Sequence, residues 1–325
     1  MSDEFEKDSN TLLYHRILNN NNTDRHPFPR SGHRTVYCNG NIYVVGGYVQ
    51  SSARLEVVGE IWRFNLLTGT WWKLRINDFP FSLAASHSVC RIGHSAIIHG
   101  GTGTTFGQNI DNSLLLVNLY EETWSRLPNQ AEDDNIQNLP IPTYGHTITL
   151  VNLDNEALVY KVGGCMSDSF TMNVYCYSLR RQSWRCVYDT DRQRLSAAIP
   201  MPRYRHDTGV YNEKLVVIGG GDLSAITSLH KLDVFDLRSY TWGKWWITGH
   251  NATGLRYQSS VQIGKVMYIF GGVADNEQFI SNEIFSLDLE AKQYTFIGIQ
   301  YPSAYFHDVC FNPDPLVLAH VHKPT

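Results

Sequence analysis

The chain has 325 residues, 42% of them hydrophobic, and a formal net charge of −4 at pH 7. That length is ample for a large buried core. The slight acidity lacks the basic excess of a general nucleic-acid binder, and no run approaches the roughly 18 consecutive apolar residues of a membrane span. Residues 1–10 are acidic and polar, without the basic and apolar regions of a secretory leader, so the cytoplasm or nucleus is the expected location. The six cysteines include no Cys-x-x-Cys pair, a pattern that suits buried thiols better than zinc or redox chemistry.

In chain order, residues 1–27 form a leading segment in which residues 11–18 are apolar enough to lend a closing strand. From residue 28 one pattern returns five times. The first unit reads His33, the apolar run Ile42-Tyr43-Val44-Val45, Gly46-Gly47, the strand Ile61-Trp62-Arg63-Phe64, then Trp71. The second has His87, Ala96-Ile97-Ile98-His99, Gly100-Gly101, residues 114–118 and Trp124. The third has His146, residues 158–162, Gly163-Gly164, Val174-Tyr175-Cys176-Tyr177 and Trp184. The fourth has His206, residues 215–218, Gly219-Gly220, residues 232–236 and Trp242. The fifth replaces the histidine by Gln258 and the tryptophan by Tyr294, around residues 267–270, Gly271-Gly272 and residues 284–288. The opening mark precedes the first glycine by 13 residues in four units and by 17 in the third, where residues 152–156 are the expected turn insertion. A sixth unit begins at Tyr305-Phe306-His307, carries Ala319-His320 where the diglycine belongs, and reaches Thr325 with no third or fourth strand.

Apolar, glycine-bounded runs of this length read as strands. A fixed period of 50 to 60 residues with four strands per unit reads as a propeller blade. The glycines suit a sharp turn with positive φ where blades crowd the channel, and the late aromatic suits packing between blades. The marks resemble the kelch repeat over roughly residues 28–318. The resemblance implies an all-β, six-bladed kelch-type β-propeller with an incomplete last blade, occupying residues 28–325.

Blade by blade the chain is similar to the kelch-domain-containing protein 10 group. The residues that carry this are Pro29-Arg30-Ser31-Gly32-His33-Arg34, Glu60-Ile61-Trp62-Arg63, Gly100-Gly101-Thr102-Gly103 with Phe106-Gly107, Arg203-Tyr204-Arg205-His206 and Gly219-Gly220-Gly221. That resemblance implies a binding protein rather than an enzyme: a substrate receptor of a cullin-2 ubiquitin ligase that captures the glycine-ended C-termini of other proteins. The group docks Elongin B/C through a helical box after the propeller. No such box stands before Thr325, so Elongin B/C and cullin-2 are partners by resemblance only.

Loops converge at one mouth of a propeller channel, and two loop positions are expected to face it. The pair before each opening mark supplies Ser31, Ser86, Tyr144, Tyr204, Arg205, Arg256, Tyr257, Tyr305 and Phe306; the loop after each diglycine supplies Tyr48 and Phe106. Arg205 and Arg256, from neighbouring blades, could fork a carboxylate bidentately. The tyrosines and Phe306 would form rigid walls, and Ser31 and Ser86 could donate hydrogen bonds. Capture of a chain terminus is an established recognition mode. Either arginine alone reads equally well as a solvated residue or a structural partner of a strand end, and Arg30 and Arg203 are adjacent alternatives.

The recurring histidines open separate blades and read as structural rather than as a zinc set, which needs converging short spacings. Gly219-Gly220-Gly221 lacks the Gly-Lys-Ser/Thr of a phosphate loop, and there is no Gly-x-Ser-x-Gly elbow; no cofactor is expected. Residues 129–138 read as a solvated acidic linker. Two other readings stay open: a scaffold that binds cytoskeletal or signalling proteins through its blade rims, and a propeller enzyme such as a copper oxidase.

Overall fold

In a computed structural model of the chain, residues 26–50, 54–192, 199–250, 254–274, 279–299, 304–313 and 316–321 are described. The closing strand expected at residues 11–18 lies outside them. The architecture is all-β and follows the repeat. Five meandering antiparallel sheets run from the centre outward. The first holds Arg34–Cys38, Asn41–Val45, Ile61–Asn65 and Thr70–Lys73; the second holds Ser88–Ile92, Ser95–His99, Leu114–Asn118 and Thr123–Leu127. The third holds Thr147–Leu153, Glu156–Cys165, Phe170–Ser178 and Ser183–Tyr188; the fourth holds Tyr204–Tyr211, Lys214–Gly221, Lys231–Asp236 and Thr241–Trp246. The fifth holds Ser259–Ile263, Val266–Phe270, Glu283–Asp288 and Gln293–Ile299. Among the described residues the sixth is a hairpin of Asp308–Pro313 and Leu316–Val321.

The innermost strands form a closed circle. Each packs on its neighbours, and Asp308–Pro313 lies between Ser259–Ile263 of the fifth sheet and Arg34–Cys38 of the first. The apolar core is accordingly not one mass but a set of seams between adjacent sheets. Leu215, Val217, Phe235 and Trp242 of the fourth sheet pack on Tyr160, Val162, Val174 and Tyr188 of the third. Phe285, Leu287 and Tyr294 of the fifth pack on Val216, Ile218 and Leu232 of the fourth. Cys310 joins Ile42 and Phe64, and Val309 joins Phe270 and Ile284, so the short sixth sheet has a seam on each side. Trp184, Trp242 and Tyr294 are buried, as the repeat predicts. Burying a large apolar side chain stabilises by roughly 1.5–3 kcal/mol. These aromatics therefore hold blade to blade more firmly than isolated surface ion pairs could.

The diglycines and the histidines turn out to be one device. At Gly100 and Gly101 the chain takes φ of +65° and +113°. A β-carbon on Gly100 would stand 2.6 Å from the His146 ring, and one on Gly101 would stand 2.1 Å from the Leu83 carbonyl oxygen. No side chain fits there, quite apart from the turn. The His146 ring opens the third blade yet lies on the first glycine of the second, and the rings of His87 and His206 lie likewise on Gly46 and Gly163 of the preceding blades. The N–H groups of Gly47, Gly164, Gly220 and Gly272 donate across to carbonyls of the next blade at 2.8–3.0 Å. The repeat thus writes blade-to-blade contacts as well as blade shape. Burial lowers His87 and His206 to about 3, so their rings stay neutral in the seams.

Residues 129–138 differ from the expected solvated linker. Gln130–Ala131 pairs in parallel with Ser183 and Trp184, and two 3-10 turns follow at Glu132–Asp134 and Ile136–Asn138. Part of the segment covers the outer edge of the third sheet, an edge that would otherwise present unpaired backbone groups.

Candidate functional site

Six chain corners define one mouth of the channel. Each is the residue just before an opening mark: Gly32, Ser86, Gly145, Arg205, Tyr257 and Phe306. All six take positive φ, between 56° and 65°. Each N–H donates to the carbonyl of the preceding corner, at 2.8–3.3 Å, and Gly32 donates back to Phe306, so six backbone hydrogen bonds close a circle. Four of these corners are not glycine, although a non-glycine residue at such an angle costs about 1–3 kcal/mol. Side chains kept at that cost point to function. They also explain the two glycines. A β-carbon on Gly32 would strike the Phe306 ring at 2.4 Å, and one on Gly145 would meet Tyr204 and the Arg205 stem at 3.1–3.4 Å.

Arg205 occupies the middle of the mouth. Its guanidinium carbon lies 4.1 Å from the Phe306 ring centre, 5.1 Å from Tyr257, 5.4 Å from Tyr204, 5.5 Å from Phe106 and 5.7 Å from Tyr144. These five rings touch one another in a closed belt, with centroids 5.5–6.4 Å apart. The Tyr204 and Tyr257 hydroxyls are 3.1 Å apart, and the Tyr48 hydroxyl donates to the Gly103 and Thr104 carbonyls at 2.9 and 3.1 Å. Burial pushes the Tyr48 phenol up to about 12 and those of Tyr144 and Tyr204 further, so all three are neutral donors. Arg205 is only 6% exposed. Burial lowers its pKa, with Tyr257 and Tyr204 opposing. Among the described residues it makes no ion pair, and its Nε–H has no hydrogen-bond partner. Cation–π contacts offset part of the burial cost, but a buried cation without an anion remains incomplete. Ser86, only 2% exposed, lines the same pocket, and its hydroxyl likewise has no partner. The pocket also has Gly32, His33, Arg34, Gln258 and His307 in its wall, and its volume is about 20 Å³, room for one water.

The sequence-predicted residues do not all meet here. Arg205, Ser86, Tyr257 and Phe306 line the pocket; Tyr144, Tyr204 and Phe106 complete the belt; Tyr48 backs Phe106 with ring centres 4.8 Å apart. Tyr305 stands at the rim, 48% exposed, its ring 6.2 Å from Tyr257. Ser31 pairs with Tyr48 in a short strand and is not in the pocket wall. Arg256 is also not in the wall. Its Nη1 donates to the Asp222 carbonyl at 2.6 Å, and its guanidinium carbon lies 5.6 Å from the Tyr257 ring centre. Arg30 and Arg203 have matching structural jobs. Each donates to the first glycine carbonyl of its own blade, Gly46 and Gly219, and pairs with an acid on the third strand side, Glu60 and Asp233.

Sequence reasoning missed the channel below the mouth. Arg34, Ser88, Thr147, Asp207, Ser259 and Asp308 each follow an opening mark; all but Ser259 line one cavity, and the Ser259 hydroxyl donates to Asp308. The signal was present: six polar residues at one position of six strands. A cavity of about 160 Å³ is lined by Arg34, Ser88, Thr147, Asp207 and Asp308, among others. Asp207 is pushed up to about 6 by burial, with Arg34 opposing and Asp308 reinforcing. Between the unfolded carboxyl value of about 4 and this value, the folded chain holds a proton that the unfolded chain has released. Stability from this group therefore falls as pH rises from about 4 to 6. Asp207→Asn is expected to stabilise the protein at pH 7.5 by roughly 1–3 kcal/mol and to flatten that slope. Urea midpoints of both proteins across the window check it, and a destabilised asparagine variant would show that the carboxylate is needed beside Arg34.

Among the described residues no group of three or more His, Cys, Asp or Glu could hold a metal ion, and no helix is long and apolar enough to cross a membrane. The chain matches the KLHDC2/KLHL20/DRC7 Kelch-repeats domain over residues 8–155 and 145–316. It is 26% identical over 309 residues to kelch domain-containing protein 10 of Homo sapiens, an alignment covering 91% of this chain and 66% of the human protein. It is 29% identical over 231 residues to the Drosophila melanogaster homolog of that protein, covering 66% of this chain and 36% of the relative. It is also 29% identical over 262 residues to host cell factor 1 of Rattus norvegicus, covering 76% of this chain and 12% of that protein. The chain thus spans 66% of the length of its human relative.

Proposed function

The chain belongs to the kelch-repeat family of β-propellers, and from that premise we propose that it seats the C-terminus of a partner protein at Arg205 and Ser86. Protein binding is the general role of such propellers; the terminal carboxylate is the finer part. One observation carries it. Two buried donors without partners, Arg205 Nε–H and the Ser86 hydroxyl, share one pocket. A carboxylate would satisfy both at once and supply the missing anion. The tight aromatic belt favours glycine as the last residue, because a side chain beside the carboxylate would need space that the pocket does not hold. Arg256, held at the Asp222 carbonyl and not in the pocket wall, would meet the chain preceding the terminus rather than the carboxylate.

The reading extends to a substrate receptor of a cullin-RING ubiquitin ligase, working with Elongin B/C and cullin-2 in the cytoplasm or nucleus. That extension draws on the resemblance to the kelch-domain-containing protein 10 group. A rim-binding scaffold is the second reading, favoured by Trp246 and Phe296, 68% and 46% exposed on outer strands. The test is a titration of synthetic peptides ending in glycine, each as free acid and as amide. The acid is expected to bind at least about thirtyfold more tightly, which is ~2 kcal/mol. Equal affinities would remove the carboxylate from the account and favour the rims.

A further inference from the structure

The mouth is shut as it stands. Arg205 is 6% exposed behind its belt, and the pocket has a volume of about 20 Å³. A carboxylate with a glycine attached needs several times the space of one water, so one wall must move. Four of the five rings are fixed. Phe306 and Tyr257 sit on corners locked into the backbone hydrogen-bond circle. Tyr204 is held through its hydroxyl contact with Tyr257, and Tyr144 pairs through its backbone with Cys165 on both sides.

Phe106 is different. It sits at the tip of a loop whose base is closed by a bridge between Thr102 and Ile110. Within the loop, Gly107 donates to Thr102 Oγ1 at 3.1 Å, Gly103 to the Asn109 carbonyl at 3.2 Å and Gln108 to the Thr105 carbonyl at 3.3 Å, so the backbone forms a tight turn and the Phe106 side chain projects from its tip. Gly107, at φ of +80°, turns the chain beside the ring, so the movement needed is a rotation of the Phe106 side chain on a held backbone. Phe106 is 42% exposed, far more than Tyr144 or Tyr204 at 8% and 7%. It touches Tyr48, Tyr144 and Phe306 and covers one face of Arg205.

We propose that Phe106 is the gate of this site: its ring swings off Arg205 to admit a chain terminus and closes over the bound end. The inference rests on the carboxylate reading above and adds a conformational step to it. A gate that is open for a small fraction of the time lowers the apparent association rate by that fraction. Truncating the ring removes the closed state.

Stopped-flow binding of a glycine-ended decapeptide to the wild-type chain and to Phe106→Ala tests this. The variant is expected to associate about tenfold faster or more and to dissociate faster as well. An unchanged association rate with faster dissociation alone would make Phe106 a fixed wall and overturn the gate. A second readout needs no peptide: modification of Arg205 by phenylglyoxal, followed by mass spectrometry. Arg205 is expected to react more slowly in the wild type than in Phe106→Ala by the same factor. Equal reaction rates would overturn the gate even if peptides bind. Protection that Phe106→Ala relieves, with no peptide binding to either protein, would keep the gate and sink the carboxylate reading instead.

Discussion

Replacing Asp308 by alanine is expected to lower the unfolding free energy by about 3–5 kcal/mol, read as a lower urea midpoint with an unchanged slope. Asp308 opens the innermost strand of the short sixth sheet. Its carboxylate accepts from Arg34 Nη1 at 3.1 Å, from the Thr35 hydroxyl at 2.9 Å and from the Thr35 N–H on one side, and from the Ser259 hydroxyl at 3.3 Å on the other. One side chain therefore ties the first and fifth sheets to the strand between them. Its loss leaves Arg34, whose side chain is 18% exposed, in the channel without that carboxylate, and leaves the Thr35 N–H without its acceptor. A cation stripped of its hydrogen-bonded carboxylate, with only Asp207 still near it, and an orphaned donor in one place account for the size of the effect. Asp308→Asn is expected to cost about half as much, because the amide oxygen can still accept from Thr35. Losses below about 1 kcal/mol in both variants would mean that the Val309 and Cys310 seams close the ring unaided.

Much of this fold is written in the sequence because its physics is local. Diglycines, opening marks and late aromatics recur at fixed spacing, and each answers to a steric demand within one blade or between two neighbours. The same locality explains what was not legible. That the His146 ring lies on Gly100 of the preceding blade follows only once the blades stand side by side. Arg205 and Arg256 look equivalent in the sequence, one residue apart in the repeat register. The structure separates them: Arg205 is a corner and lies among the five rings, whereas Arg256 precedes its corner and is engaged by the Asp222 carbonyl, although Tyr144 and Tyr204, each also one residue before a corner, do reach the belt. Ser31 and Ser86 divide in the same way, as a strand residue and a corner. Arg34, Asp207 and Asp308 escaped notice because a charged residue opening a strand reads as solvated until six strands are known to face one channel.

Arg205 separates function from stability more sharply than any other residue at the mouth. Arg205→Gly is expected to abolish binding of glycine-ended peptides, a loss on the order of 2–5 kcal/mol, while leaving the protein about as stable as the wild type. The two effects come from different terms. Glycine adopts the corner angle of +58° without the strain an arginine bears, and the change removes a buried cation that has no anion. Against that stand the lost cation–π contacts, on the order of 2 kcal/mol together for one guanidinium shared among the rings, so the net change in stability is small. Arg205→Lys is the finer probe. A lysine keeps the charge but loses the flat fork and its stacking on the belt, so binding is expected to fall at least about tenfold, ~1.4 kcal/mol, rather than to vanish. Peptide titrations and urea melts on the same preparations read both sides. Retained binding in Arg205→Gly would exclude the arginine as the anion's partner. A stability loss above roughly 2 kcal/mol in that variant would make it a structural pillar, held at its strained angle to keep the aromatic belt in place rather than to meet a ligand.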